Sequence, residues 1–422
     1  MDIVLVSLDC VRPDYIGCYT GINNTPFMKS ALHQGIIFKY CISQASHTTT
    51  SHSSMFTGLY PFNHGVRWVS ESGVEGEMLQ EVLGRSGFIT AALIGGWTLT
   101  HRSFARGFDS YITTYSIEDT TEGRHIFNPI NRLVDHAIEQ LDSNRSGDNY
   151  IFIHSFDAHF TSRSDKEGKR RQRYMEEIRN QDIHLRRLHE RLKEGDHLLA
   201  ITSDHGDKME GEHGYPYVYN SRGEKVGIHF HETELYDVQL RVPLIFFGSS
   251  ISNKTIEGLT RTIDIAPTIL GFIGKSFRGP IDGMDLSGVL KGERDVEFPV
   301  DAYSETYHAQ LVEENRYAVE MSKKYEWGWN SVDSLVSLRT VHRKLICTAN
   351  GAIEPAYFFD LDKDPGEKEN MIHDEHHSGE VASMLKDLMS LLESDDQYKY
   401  ETIKKEVKSI KNAIKRTKLK NI

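Results

Sequence analysis

The stretch Leu198-Leu199-Ala200-Ile201-Thr202-Ser203-Asp204-His205-Gly206-Asp207 decides the reading of this chain. Five residues of apolar character form a strand, and the chain then presents a carboxylate and an imidazole side by side. A glycine lets the backbone turn away behind them. Carboxylate and imidazole are both ligands for divalent metals, and strand ends are where open α/β sheets collect their ligands.

Three other apolar runs deliver polar groups in the same manner. Residues 3–8 (Ile-Val-Leu-Val-Ser-Leu) lead to Asp9, and residues 151–153 (Ile-Phe-Ile) lead through His154 to Asp157 and His159. Val242 to Phe247 follow the pair His229 and His231. Convergence of several strand ends predicts an active site at the carboxyl edge of a sheet.

Working outward, short strands alternate with helical stretches. Helices are expected over 77–86 and 132–141, and strands over 88–94 and 150–154. That alternation predicts an α/β fold, a large mixed and mainly parallel sheet flanked by helices. Across 164–195, Tyr174, Ile178, Ile183, Leu188 and Leu192 recur at near-helical spacing, so an amphipathic surface helix is expected. The run Lys169-Arg170-Arg171 reads as its solvated face.

After the turn-rich Gly279 to Gly283 segment the pattern becomes antiparallel, with strands expected over 336–341, 344–348 and 357–360. The implied division is a catalytic domain over 1–295, a small C-terminal α+β subdomain over 296–377 and a charged helical tail over 378–422. In that tail Ile403, Val407, Ile410 and Ile414 form an apolar stripe among lysines, suited to packing on the body, on a second subunit in a homo-oligomer or on an anionic surface.

A chain of 422 residues with 38% hydrophobic and 26% charged residues can bury a large core. Net charge of −12 argues against nucleic acid as the main partner. Cys10, Cys18, Cys41 and Cys347 are too scattered for a disulfide framework or a zinc knuckle. Met1-Asp2 runs directly into a strand, and no run approaches the roughly 18 apolar residues of a membrane span. Cytoplasmic location is the resulting expectation.

Between the first strand and the helix at 77 lies Ser46-His47-Thr48-Thr49-Thr50-Ser51-His52-Ser53-Ser54, dense in hydroxyls. Placed before a helix N-terminus, such a run faces an anion held by free backbone amides. An N-cap accounts for one of these hydroxyls but not for all.

Taken in order, the motifs resemble the sulfatase-like branch of the alkaline-phosphatase superfamily over nearly the whole chain. Leu8 to Tyr19 is similar to the end of its opening strand and the loop that follows, Thr48 through Gly58 to its nucleophile segment, Phe156-Asp157-Ala158-His159 to its Asp-Pro-His turn, and Ser203 to Gly206 to its metal corner. Leu235-Tyr236-Asp237, Arg241 to Leu244 and Phe359-Asp360-Leu361 complete the series. The resemblance implies that Asp9, Asp204, His205 and Thr48 bind a divalent metal (Ca, Mn, Zn or Mg), with Thr48 also the nucleophile. A second metal would need Asp157, His159 and His231 to converge. His159, His229 and His231 are alternatively proton donors to the leaving group, with His231 better placed than His229, for which a surface position is the alternative. His52 stands at the family's arginine and either orients Thr48, bonds the anion or packs the helix. His213 reads as a loop residue, and Arg12 as pairing a carboxylate or reaching substrate.

Three departures matter. Thr48 replaces the cysteine that sulfatases oxidise to formylglycine, so that chemistry is not expected. Cys10 stands where relatives carry a second aspartate, as a small core residue or as a soft ligand favouring zinc. Gly95-Gly96-Trp97-Thr98-Leu99 lacks the family's lysine and histidine. The implied function is metal-dependent hydrolysis of a phosphate or sulfate ester through a Thr48 intermediate, with phosphoesters preferred and a small-molecule, glycan or lipid-headgroup substrate. Transfer of a phospho-headgroup to a sugar or lipid acceptor is the alternative.

Overall fold

The computed structural model describes residues 1–66, 73–100, 103–113, 116–120, 123–160, 169–209, 212, 217–219, 225–227, 234–294, 300–306, 335–349 and 353–393. The chain groups into two compact units, one of residues 1–231 and 238–299, the other of residues 232–237 and 300–422.

In the first unit the opening strand β1 (Asp2–Leu8) is central, and Ile3 to Leu8 are all inaccessible to solvent. Burial on both faces is what an unbroken apolar run encodes in a parallel sheet. The strands that follow are β2 (Ile36–Ile42), β3 (Ile89–Ile94), β4 (Ser110–Ile112), the ribbon β5 (Ser116–Thr120) with β6 (Gly123–Phe127), β7 (Asn149–Ser155), β8 (His197–Thr202), the ribbon β9 (Tyr217–Tyr219) with β10 (Lys225–Gly227), β11 (Arg241–Gly248) and β12 (Lys254–Arg261). Eight of them form one sheet in the order β12-β2-β11-β8-β1-β7-β3-β4. β11 runs antiparallel to β2 and β8, while the other pairings are parallel. The predicted mixed, mainly parallel sheet is thus the observed one.

Helices cover both faces. On one side Phe38, Phe152 and Phe246 pack with Met55, Phe56, Leu79, Leu83, Ile269 and Leu270. On the other, Val4, Val6 and Ile151 pack with Leu133 and Val134 of the Ile130–Ser143 helix and Tyr174, Leu188 and Leu192 of the Lys169–Leu192 helix. Two expectations for that last helix need correction. Ile183 is 44% exposed, because the step of five from Ile178 rotates it off the buried stripe. Arg170 is buried rather than solvated, its guanidinium bonded to Asp207 and to the Lys208 carbonyl.

The second unit holds the antiparallel sheet β13 (Ala302–Thr306), β14 (Leu335–Arg339), β15 (Arg343–Ala349) and β16 (Ile353–Asp360), paired in that order. The helix Ser378–Glu393 packs on β14, β15 and β16. Inside it, Asp237 accepts from Arg339 at 2.8 Å and from Lys344 at 2.8 Å, and Lys344 also pairs with Glu367 at 2.8 Å. The apolar stripe at 403–414 lies outside the described residues.

Candidate active site and metal corner

Parallel pairing in register aligns the ends of neighbouring strands. Ser7 of β1 stands opposite His154 of β7 and Thr202 of β8, so the residues that follow leave the sheet at one edge. Asp9 is fixed there by its amide, which donates to the Ser155 carbonyl at 2.9 Å.

Thr48 opens the Thr48–Thr57 helix, which is buried along its whole length despite its polar sequence. Two hydroxyls are absorbed locally, Ser53 donating to the Thr49 carbonyl at 2.8 Å and Thr57 to the Ser53 carbonyl at 2.7 Å. Ser51 donates to the Asp204 carbonyl at 2.7 Å, and the buried Thr49 and Thr50 hydroxyls take no hydrogen bond. Gly58, with φ of 69°, ends the helix in the left-handed region that glycine takes without strain. At the other end the first amides have no partner within the helix, and the dipole is positive.

Four residues from these elements meet. Thr48 Oγ1 lies 3.2 Å from His205 Nε2 and 3.4 Å from Asp9 Oδ2, and His205 Nε2 lies 3.3 Å from Asp204 Oδ2. Asp9, Asp204 and His205 are completely buried. His205 Nδ1–H donates to the Gly206 carbonyl at 2.9 Å, which turns the Nε2 lone pair toward Thr48. Asp204 Oδ1 accepts from the amides of Cys10 at 3.2 Å and His205 at 2.9 Å, whereas Oδ2 is buried and takes no hydrogen bond. Among the described residues no lysine or arginine pairs with Asp9 or Asp204. Two carboxylates, one of them with an orphaned oxygen, fit a divalent cation. Donors sharing an ion at about 2.0–2.4 Å lie roughly 3.0–3.4 Å apart, as Thr48 does from Asp9 and His205, and His205 from Asp204.

Burial raises the pKa of Asp9, but the hydrogen bond from His154 and the charges of His159, His154 and His205 outweigh it and hold the carboxyl well below its ordinary range. For His205, burial opposes protonation, yet Asp204 and Asp9 raise its pKa above the usual value.

The remaining expected residues separate. His52 is fully buried, Nδ1–H donating to the Thr48 carbonyl at 2.8 Å and Nε2 accepting from Ser7 at 2.9 Å. Burial pushes its pKa down to about 4, so it stays neutral and props the first helical turn. His159 is buried with its ring stacked on Phe156 at 4.1 Å. Asp157 turns elsewhere: it accepts from the Ile130 amide at 3.1 Å and from Ser155 at 2.6 Å, capping the Ile130 helix, and burial raises its pKa. Arg12 takes the structural role, bonded to Asp14, Glu212 and the Asp207 carbonyl. His213, His229 and His231 lie outside the described residues. His154, whose Nε2 is 3.1 Å from Asp9 Oδ2, is a site residue that no motif signals.

Gly96 explains one departure. A Cβ there would stand 2.4 Å from the Phe156 ring, so Phe156 fills the space into which a side chain at 96 would grow.

The sulfatase profile matches residues 1–275, and the chain belongs to the sulfatase family of the alkaline-phosphatase superfamily. Among curated proteins, N-acetylglucosamine-6-O-sulfatase of Bacteroides thetaiotaomicron is 29% identical over 205 residues, covering 48% of this chain and 30% of that protein. Arylsulfatase K of Mus musculus is 26% identical over 175 residues, covering 41% and 26%. These matches therefore span less than a third of the relatives' own length. Among solved structures, a 2-O GAG sulfatase aligns over 95% of this chain and 94% of its own with a TM-score of 0.69 at 17% identity. The phosphonate monoester hydrolase of Agrobacterium radiobacter aligns over 93% and 95% with a TM-score of 0.69 at 16% identity. These last two likenesses are of fold.

Proposed function

We propose that this sulfatase-family hydrolase opens an anionic ester by attack of Thr48 Oγ1 on phosphorus or sulfur, with phosphoesters preferred. The observation that carries the reading is the meeting of Asp9, Thr48, Asp204 and His205 around two carboxylates that lack a fixed counter-charge. A divalent cation, which these four residues would hold, would lower the pKa of a hydroxyl beside it and offset the charge of the ester oxygens.

Thr48 forms the new O–P or O–S bond while the ester's own bond to its alcohol breaks. The Thr48 proton goes to solvent, and the departing alkoxide takes a proton from His159, whose charge acts on Asp9. Water then cleaves the threonine ester and restores the hydroxyl. Amides at the start of the Thr48 helix face the anion. Threonine at the formylglycine position and the aromatic ring over Gly96 both favour phosphoryl over sulfuryl transfer.

The test is Thr48→Ala against aryl phosphate, phosphodiester, phosphonate and aryl sulfate substrates without added acceptor. Turnover is expected to fall by about three to six orders of magnitude with fold intact. Undiminished release of alcohol would assign the attack to another group.

A further inference from the structure

The two oxygens of Asp9 are held differently. Oδ1 accepts the S–H of Cys10 at 3.0 Å, while Oδ2 takes Nε2–H of His154 at 3.1 Å and faces Thr48. Cys10 and His154 are both inaccessible to solvent, one next to Asp9 in the chain and the other on the adjoining strand β7. Asp204 has the same asymmetry, with Oδ1 tied to two backbone amides and Oδ2 turned to His205. Each carboxylate thus offers one oxygen, and among the described residues Asp9, Asp204, Thr48 and His205 present four single donors, two carboxylate oxygens, one hydroxyl and one imidazole nitrogen, with the Cys10 sulfur turned to Asp9 Oδ1.

Cations differ in what they require. Calcium takes 6–8 oxygen ligands and commonly uses both oxygens of a carboxylate, and magnesium needs a near-octahedral oxygen shell. Zinc is satisfied by four donors of mixed nitrogen and oxygen type.

We infer that Cys10 and His154 clamp Asp9 into one-oxygen ligation and so make this pocket select a four-coordinate, zinc-class cation over calcium and magnesium. This rests on the shared-ion reading given above. Cys10 and His154 are positioning residues here, acting through Asp9. The backbone at Cys10 has φ of 64°, a region that aspartate enters more readily than most residues, so Cys10→Asp suits the local chain. It removes the thiol donor and adds an oxygen ligand.

The test uses the full chain stripped with chelator, then titrated with Zn²⁺, Ca²⁺ and Mg²⁺ in competition with an indicator, and separately with Co²⁺ to read its absorption spectrum. The native protein is expected to give the intense visible bands of four-coordinate cobalt. Loss of a partner that orients a ligand typically costs about 10–100-fold in metal affinity, and His154→Ala should lose zinc affinity by that factor, with His154→Gln recovering part of it through its amide N–H. Cys10→Asp should lower the zinc-to-calcium preference by about tenfold or more and weaken the cobalt bands. Should Cys10→Asp not fold, Cys10→Ser, which keeps a donor to Asp9, is expected to retain the four-coordinate spectrum. A weak, six-coordinate spectrum in the native protein, or an unchanged preference in folded Cys10→Asp, overturns the inference while leaving the shared ion standing. No divalent cation bound at all overturns both.

Discussion

In the second unit a half-buried Asp237 and a buried Glu367 stand beside Arg339 and Lys344, whereas in the first Asp9 and Asp204 are buried beside imidazoles, a hydroxyl and a thiol. The chemistry of the acids is the same, and the company differs. Arg339 and Lys344 depress the pKa of Asp237 against the effect of burial, and the cluster carries its own counter-charges. Asp9 has only histidines to lower it, and nothing in the described chain supplies a permanent positive charge. A buried acid pair with its cations built in is structural. One without them carries uncompensated charge and makes a candidate site for a divalent cation.

This contrast can be broken in order of expected effect. Lys344 is wholly buried between two carboxylates, so Lys344→Met should cost the protein about 3–5 kcal/mol, read as a lowered denaturant midpoint for the second unit. Equal stability of that variant would deny the quartet its structural role. At the first site the sign reverses: in chelator-treated protein, Asp204→Asn removes one of two unbalanced charges and should stabilise by about 0.5–2 kcal/mol. A loss of stability there would mean that Asp204 is already compensated.

The smallest effect lies away from both clusters. His189, packed on Phe27, Phe247 and His197, has its pKa lowered to about 4 by burial and the neighbouring His197 and Lys193. A depressed imidazole pKa means that the unfolded chain binds the proton first, so its contribution is full above about pH 6.5 and declines as pH falls toward 4. His189→Phe keeps the ring packing and should flatten the melting temperature across that window. An unchanged acid limb would place the sensitivity elsewhere.

Asp204 and His205 were legible because they are adjacent and directly follow an apolar strand, and Asp9 for the same reason. The α/β architecture followed from strand and helix periods that agree along the chain. His154 was not legible. It follows the apolar run 151–153 without belonging to a motif, and its role comes from β7 lying in register beside β1, a pairing between segments about 145 residues apart that no local pattern states. The burial of Arg170 is hidden in the sequence for a similar reason, since its partner Asp207 is distant along the chain. β13 escaped notice because a five-residue strand is recognisable mainly by its pairing, and β14 follows it only after a long interval. Asp157 illustrates the converse: its place in a motif suggests a metal ligand, while one oxygen caps a helix and the other accepts from Ser155.

The most direct measurement is the metal content of the purified full chain and of its Asp204→Asn variant, by elemental mass spectrometry after exhaustive dialysis, with circular dichroism confirming the fold. About one equivalent of divalent metal in the native protein and a large loss in the variant is the predicted result. Equal content in both, or none in the native protein, would contradict a shared ion among Asp9, Thr48, Asp204 and His205.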